Sequence, residues 1–138
     1  MAVVFDVKGN WFNIGNGRFL YSFFSTVAYN LENCDWGSVY PYIMNNLYTG
    51  CLKKQYVNNA IDELISIKDR LKDFNVNKVV WNFEDLSAQP PWGDNISDEI
   101  TDLSNYFVTS DGEDFIDVFM DALRLAKELK ADIEIISI

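Results

Sequence analysis

Five runs of hydrophobic residues along this chain have the length and composition of β-strands. The first, Ala2–Lys8, is β-branched and ends at a Gly-Asn turn, after which a second short run, Trp11–Ile14, follows. Two strands joined by so short a turn predict a hairpin. The later runs Lys78–Phe83 and Ala131–Ile138 are rich in Val and Ile, which favours strands. A shorter run, Asn105–Thr109, is expected to add one more.

Hydrophobic residues that recur every three or four positions predict helices elsewhere in the chain. Three long helices that face a core are expected in the ranges Arg18–Glu32, Gln55–Asp73 and Ser110–Lys130. The last of these begins with Ser110 and Glu113 at the spacing of a capping box. A shorter helix is expected between Ser38, a suitable capping residue, and Gly50, with Pro41 in its first turn.

Together these elements predict an α+β fold, in which a small sheet of three to five strands is covered on one face by three or four helices. The order of strand, helix and strand from Lys78 to Ile138 is compatible with a right-handed parallel crossover. A chain of 138 residues, 49% of them hydrophobic, has the size and the material for one core. We therefore expect residues 1–138 to form a single domain.

The charge of the chain narrows the range of partners. It has 21 Asp and Glu against 11 Lys and Arg, a formal net charge of −10, and no histidine. So negative a surface repels phosphate backbones and anionic lipids, so neither nucleic acid nor membrane is expected to bind, whereas a basic protein is. Without histidine, the usual general base near neutral pH and most zinc sites are excluded. No metal or cofactor is expected.

The two cysteines and the N-terminus bear on the compartment. Cys34 and Cys51 are 17 positions apart and form no CxxC motif. The first residues lack the basic and apolar layout of a secretory signal, and no apolar run approaches the ~20 residues that span a bilayer. The expected location is the cytoplasm, with both thiols reduced.

The acidic residues are concentrated in one part of the chain. Between Lys78 and Arg124 there is no Lys or Arg, and this interval contains Glu84, Asp85, Asp94, Asp98, Glu99, Asp102, Asp111, Glu113, Asp114, Asp117 and Asp121. The interval alone carries −11 and the rest of the chain +1. If these side chains gather on one face, they would attract and orient a basic partner. Alternatively, they stabilise a helix start and keep the protein in solution.

A long stretch without periodicity, from Glu84 to about Tyr106, lies within this acidic interval, and loops of this length are often functional. Two prolines stiffen its middle and Gly93 permits a tight turn, so Trp92 is presented on a rigid support. Trp92 could anchor a partner, because Trp is enriched at energetically important contacts, or fold back as a lid on the core. Trp36 and Trp81 are expected in the core.

The carboxylates also allow a catalytic interpretation. A glycosidase needs two carboxylates that face each other across a cleft, as Glu84 and Asp98 could do. The segment Asp94–Glu99 only loosely imitates a calcium loop, because it lacks the glycine required at the sixth position. Glycine-rich phosphate loops, nucleophile elbows and zinc-ligand spacings do not occur in the sequence. We expect no enzyme activity, and a small carbohydrate-binding or carboxylate-dependent glycan-acting protein stays the alternative.

Several short strings of the sequence are distinctive when taken together. They are Ser22-Phe23-Phe24-Ser25-Thr26, Trp36-Gly37-Ser38, Leu47-Tyr48-Thr49-Gly50, Val79-Val80-Trp81, Pro90-Pro91-Trp92-Gly93 and the run from Ile100 to Phe107. These strings resemble the immunity protein 70 family of bacterial polymorphic toxin systems. The likeness covers most of the chain, from about Trp11 to the last helix. Val39 departs from it, since a basic residue is expected to be common there.

This resemblance implies a cytoplasmic antitoxin, without enzyme activity, that binds a cognate toxin domain and blocks it by stoichiometric, non-covalent inhibition. Many such toxins are nucleases with basic clefts, so we expect a basic partner. The resemblance itself transfers no binding residues, and the oligomeric state stays open. From the charge pattern we expect the partner to contact Glu84, Asp85, Trp92, Asp94, Asp98, Glu99 and Asp102.

Overall fold

The computed structural model describes residues 2–138, which form four strands and three α-helices. The strands are β1 (Ala2–Val7), β2 (Asn10–Asn16), β3 (Cys51–Leu52) and β4 (Ile133–Ser137), and the α-helices are α1 (Gly17–Leu31), α2 (Val57–Leu71) and α3 (Phe115–Leu129). A π-helix covers Tyr42–Leu47, and short 3-10 turns cover Lys54–Tyr56 and Val76–Lys78. The predicted α+β fold is confirmed, and the three long helices lie within a few residues of their expected bounds.

The four strands form one antiparallel sheet in the order β2-β1-β4-β3. The predicted hairpin is confirmed, and its turn places Lys8 and Gly9 at φ values of 53° and 89°. Positive φ at both central residues is what a two-residue turn between twisted strands requires. In the middle of the sheet, Val4 pairs with Asn13 on one side and with Ile136 on the other. The N-terminal and C-terminal strands are therefore neighbours.

Helices cover one face of this sheet and enclose a core rich in phenylalanine. Phe5 of β1 contacts Phe119 of α3 at a ring-centroid distance of 4.9 Å, and Phe23 of α1 contacts Phe115 of α3 at the same distance. All four rings are fully buried. Each buried phenylalanine contributes about 1.5–3 kcal/mol relative to an exposed one. The aromatic contacts between α1, α3 and β1 thus fix the two helices on the sheet.

Side chains at the starts of α1 and α3 accept hydrogen bonds from backbone amides of the first helical turn. Asn16 accepts a hydrogen bond from the amide of Arg18 (2.7 Å) at the start of α1. At the start of α3, the expected capping box at Ser110 is wrong. Asp114 is the cap instead, and its carboxylate accepts hydrogen bonds from the amides of Ile116 (3.0 Å) and Asp117 (3.2 Å). The helix therefore begins four residues later than the sequence pattern indicates.

The expected helix from Ser38 to Gly50 is wrong in extent and in type, because only the π-helix Tyr42–Leu47 forms there. Two carboxylates organise this region. Glu63 of α2 accepts hydrogen bonds from the amides of Tyr42 (3.2 Å) and Ile43 (2.8 Å). Glu32, buried at the end of α1, accepts from the amides of Gly37, Val39 and Tyr40, each at 2.9 Å. Side-chain acceptors thus replace the local bonds of a regular helix.

Two of the expected strands, and with them the parallel crossover, are wrong. Lys78–Phe83 pairs with no strand within residues 2–138, and Asn105–Thr109 forms only an isolated bridge between Val108 and Asp114. The place beside β4 in the sheet is taken by the two-residue strand β3, which the sequence pattern did not indicate. The backbone groups of 78–83 have other partners, described next.

Candidate functional site

Residues 79–83, which follow the second 3-10 turn, lie along α1 and are held there by side chains of the helix. Thr26 Oγ1 accepts a hydrogen bond from the amide of Val80 (3.0 Å) and donates one to the carbonyl oxygen of Val80 (3.3 Å). Ser22 Oγ donates to that carbonyl oxygen as well (3.0 Å). All three residues are buried, so both backbone groups of Val80 are paired where water does not reach them.

Two further contacts extend this attachment on either side of Val80. Asn30 Nδ2 donates to the carbonyl oxygen of Lys78 (2.9 Å), and the amide of Phe83 donates to Ser25 Oγ (3.1 Å). Polar side chains of α1 therefore provide the hydrogen-bond partners that a neighbouring strand would provide in a sheet. This is why a segment with a strong strand pattern lies outside the sheet.

Trp92, in the middle of the long loop, is fixed by two aromatic contacts. Its Nε1 donates a hydrogen bond to the hydroxyl of Tyr106 (2.7 Å), and its ring meets the ring of Trp81 edge-on at 5.4 Å. Burial raises the pKa of Tyr106, the hydrogen bond from Trp92 lowers it and the charge of Asp94 raises it. Trp92 stays 37% exposed, so it covers its neighbours without being sealed in the core.

A second aromatic group surrounds Trp36. This ring lies 4.9 Å from Tyr48 and 5.4 Å from Phe83, and its Nε1 donates to the carbonyl oxygen of Met44 (2.7 Å). Tyr48 is 40% exposed. Burial raises the pKa of Tyr48, and the charges of Tyr21 and then of Glu84 raise it further.

Tyr21 of α1 joins the two groups. It stacks on Trp36 at 6.1 Å, and with Arg18, Trp81, Asn82 and Ala88 it lines a shallow depression of about 270 Å³. We call the partly exposed rings along this line, Tyr21, Trp36, Tyr48, Trp81 and Trp92, the aromatic band. Trp36 packs against the core as expected. Trp81, expected in the core, is instead half-buried in this band.

The acidic residues predicted to contact a partner fall into two groups. The carboxylates of Glu84, Asp94, Asp98 and Glu99 are exposed and have neither a hydrogen bond nor an ion pair within residues 2–138. They are therefore available to an external cation. Asp94 lines the same cavity as Tyr106, and Glu84 follows Phe83, whose ring packs on Trp36, so these two residues flank the aromatic band.

Asp85 and Asp102 have local partners instead. Asp85 accepts hydrogen bonds from the amide (3.1 Å) and the hydroxyl (2.6 Å) of Ser87, and these lower its pKa. Asp102 accepts from the amide of Ser104 (2.8 Å), from the hydroxyl of the same residue and from that of Thr101 (3.1 Å). Burial raises the pKa of Asp102, but these hydrogen bonds outweigh that effect and lower it. Both carboxylates shape the loop that carries them.

A cavity of about 470 Å³ lies between residues 76–80 and the loop 86–96. Its lining includes Tyr29, Lys78, Tyr106 and the carboxylate of Asp94, but neither Glu84 nor Asp98. Two carboxylates facing each other across a cleft, as glycoside hydrolysis requires, are not found in its lining within residues 2–138. The catalytic interpretation therefore has no geometric support at this cavity.

In the part of the chain that the structure describes, no group of three or more Cys, Asp or Glu side chains is placed to hold a metal ion. Among residues 2–138, no helix has the length and apolar character needed to cross a membrane.

A sequence model of the immunity protein 70 family matches residues 5–135. The chain belongs to this family. Comparison with curated proteins and with solved structures gave no match. The resemblance of the sequence strings to immunity protein 70 is thereby confirmed, over slightly more of the chain than those strings cover.

In this member of the immunity protein 70 family, the strings that carry the resemblance meet in space. Ser22, Ser25 and Thr26 of the first string bind the segment that contains Val80, and Trp92 of a third string contacts Trp81. The string on α1 thus contacts a string more than 50 residues later in the sequence, which in turn contacts the string of Trp92.

The sequence pattern missed the residues that make these contacts. Ser22, Ser25 and Thr26 are polar residues on the hydrophobic side of α1, and that position was the available signal. Polar groups on a core-facing helix require hydrogen-bond partners. Tyr21 and Tyr48 carried no such signal, since single aromatic residues at helical spacing usually belong to a core.

We predict that Thr26→Val lowers the free energy of unfolding by about 1–3 kcal/mol, because it leaves the buried amide of Val80 without an acceptor. The shape of the side chain is nearly unchanged, so the loss would not come from packing. Urea unfolding followed by far-UV circular dichroism measures the change. Thr49→Val is the control, since Thr49 is exposed and water replaces its hydrogen bond. Equal effects of the two substitutions would contradict the prediction.

The lowered pKa of Asp102 predicts a dependence of stability on pH. Because the folded pKa lies below the unfolded value of about 3.9, the stabilisation is fully present above that value and decreases as the pH falls through the folded pKa. The difference in unfolding free energy between wild type and Asp102→Asn should therefore be larger at pH 6 than at pH 3. It should be below about 1 kcal/mol, because the carboxylate is mostly solvated. Asp98→Asn is the control, and a pH-independent difference for Asp102→Asn would refute the assignment.

Proposed function

We propose that this protein is an antitoxin that neutralises a cognate toxin domain of a polymorphic toxin system. It binds the toxin non-covalently, one molecule to one, in the cytoplasm of the cell that makes both. The observation that carries this proposal is the match of residues 5–135 to a family of immunity proteins. Inhibition by binding needs a complementary surface and no turnover, which agrees with a chain that lacks histidine.

The charge distribution supports a basic toxin as the partner, and a nuclease is the proposed class. A nuclease cleft attracts phosphates with Lys and Arg, and the same cleft attracts clustered carboxylates. Residues 79–123 offer eleven carboxylates and neither Lys nor Arg. Four of the carboxylates on the long loop have no internal partner in residues 2–138, so binding a cation would break no hydrogen bond of theirs.

The proposed contact residues divide by their role. Glu84, Asp94, Asp98 and Glu99 would attract the toxin and pair with its basic groups. Asp85 and Asp102 hold turns of the same loop and would add charge, and Trp92, fixed by Tyr106 and Trp81, would provide an apolar anchor. A loop held in its binding conformation before contact loses little entropy on association.

The proposal is tested by co-expression with the toxin domain encoded next to this protein's gene. Wild-type protein should restore growth of cells that produce the toxin, and the purified pair should elute as a complex of one molecule of each. Growth arrest despite full expression of the folded protein would contradict the antitoxin function.

Neutralising the loop acids should slow toxin binding. We predict that the fourfold variant Asp94→Asn, Asp98→Asn, Glu99→Gln and Asp102→Asn associates on the order of tenfold more slowly at low salt, because electrostatic steering accelerates association by about 10–10³-fold. Its association rate should also depend less on salt. Stopped-flow fluorescence measures both.

The matched control neutralises four exposed acids outside the loop, Asp62, Asp69, Asp73 and Glu128, and so changes the net charge equally. Its association rate should stay closer to wild type. If both fourfold variants slow association to the same extent, total charge rather than the loop attracts the toxin.

A further inference from the structure

We infer that the aromatic band is the surface on which the toxin docks, and that it receives a face of the toxin bearing arginine or lysine side chains. This inference rests on the proposed antitoxin function and adds residues to it. Tyr21, Tyr48 and Trp81 lie outside the acidic loop contacts proposed above, and they would carry binding energy that charge alone does not provide.

Hydrogen bonds within the protein hold the rings of the aromatic band in place. Val80 and Phe83 are bound to side chains of α1 at 3.0–3.3 Å, and Trp81 lies between them in the chain. Nε1 of Trp92 and Nε1 of Trp36 each donate a hydrogen bond of 2.7 Å. Aromatic rings held in place lose little conformational freedom on binding, which is the property of residues that dominate interface energies.

Its rings are exposed in a continuous line rather than singly. Tyr48 and Trp92, in the two aromatic groups, keep 40% and 37% of their surface exposed. Between them, Tyr21 and Trp81 are half-buried and line the depression of about 270 Å³. Tyr and Trp are enriched in protein interfaces, and a depression of this size accommodates one inserted side chain.

The charges around the band select a basic occupant. Glu84 follows Phe83, whose ring packs on Trp36 next to Tyr48. Asp94 lines the same cavity as Tyr106, which binds Trp92. An arginine or lysine over these rings would gain both a carboxylate partner and the attraction of a cation to an aromatic face. Arg18 is the one cation in the lining of the depression, and there it opposes a basic partner.

The other large groove of the molecule lacks this selectivity. It lies between α2 and α3, and its lining mixes Lys68, Lys72 and Arg124 with acidic residues such as Asp121. Lys68 already pairs with Asp117 at 3.5 Å. Because the charges of this groove offset one another, it favours neither sign of partner. Beside the aromatic band, the carboxylates of Glu84 and Asp94 have no internal partner in residues 2–138, and Lys78 shares the cavity that Asp94 lines.

Arg18 provides a test in which the expected effect is a gain. Replacing it with glutamine removes the opposing charge without removing an aromatic contact. Arg18→Gln should associate with the neighbouring-gene toxin domain about two- to fivefold faster at low salt, in line with electrostatic steering. Arg124→Gln, which makes the same charge change in the other groove, should accelerate association less.

Two further variants test the band by loss. Tyr48→Ala should weaken toxin affinity at least tenfold, and Ala88→Arg, which fills the depression and adds a positive charge, should weaken it without removing any ring. Trp11→Ala is the control, because Trp11 is 56% exposed on β2 and lies outside the band. Thermal unfolding shows which variants are folded. If Tyr48→Ala does not fold, Ala88→Arg and Arg18→Gln still test the band.

The outcomes separate the two proposals. Weaker binding by Ala88→Arg and faster binding by Arg18→Gln, with Trp11→Ala unchanged, would support the band. If all the variants bind and protect cells as wild type does, the band is not the docking surface, although the antitoxin function stands. If wild-type protein neither binds the toxin nor protects against it, both proposals fail.

Discussion

The pairing of Val80 with Ser22 and Thr26 is the interaction that attaches the proposed binding face to the rest of the protein. Three hydrogen bonds of 3.0–3.3 Å in a buried environment attach an irregular segment to α1. Each bond to a neutral group contributes about 1 kcal/mol net, but an unpaired buried group costs more. The chain beyond this point is held by further contacts, such as those of Phe83 with Ser25 and of Trp92 with Tyr106. The helix thus acts as a scaffold for a loop that has no regular structure of its own.

Strong periodic patterns in the sequence were sufficient to predict much of the fold. The hairpin of β1 and β2 and the three long helices are confirmed because their hydrophobic residues follow one period over many positions. The strand predicted at Lys78–Phe83 was wrong. Strand propensity measures how well a side chain fits a half-buried surface, and here that surface is a helix with hydroxyl groups. The two-residue strand β3 is too short to carry any periodic signal.

The candidate site could be predicted only in part. Its charge was visible in the sequence, because the acidic interval is continuous and lacks Lys and Arg. Which carboxylates are free was not predicted, although a local signal existed: the two bound acids, Asp85 and Asp102, each begin an Asp-Leu-Ser triplet that the free acids lack. The aromatic band brings together residues from α1, from the end of the π-helix and from two loops. No local pattern can indicate that Tyr21 and Trp81 share one depression, so three-dimensional structure was needed to find it.

The arrangement of the sheet also constrains the order in which the chain can fold. Val3 pairs with Ser137 and Asp6 with Glu134, so the central pair of strands joins segments about 130 residues apart. Contacts between such distant segments form late, because a long loop must close first. While the chain is being synthesised, β1 has only β2 as a partner until β4 has left the ribosome. The central strand pair of the sheet can therefore form only after residues 2–137 have all been synthesised.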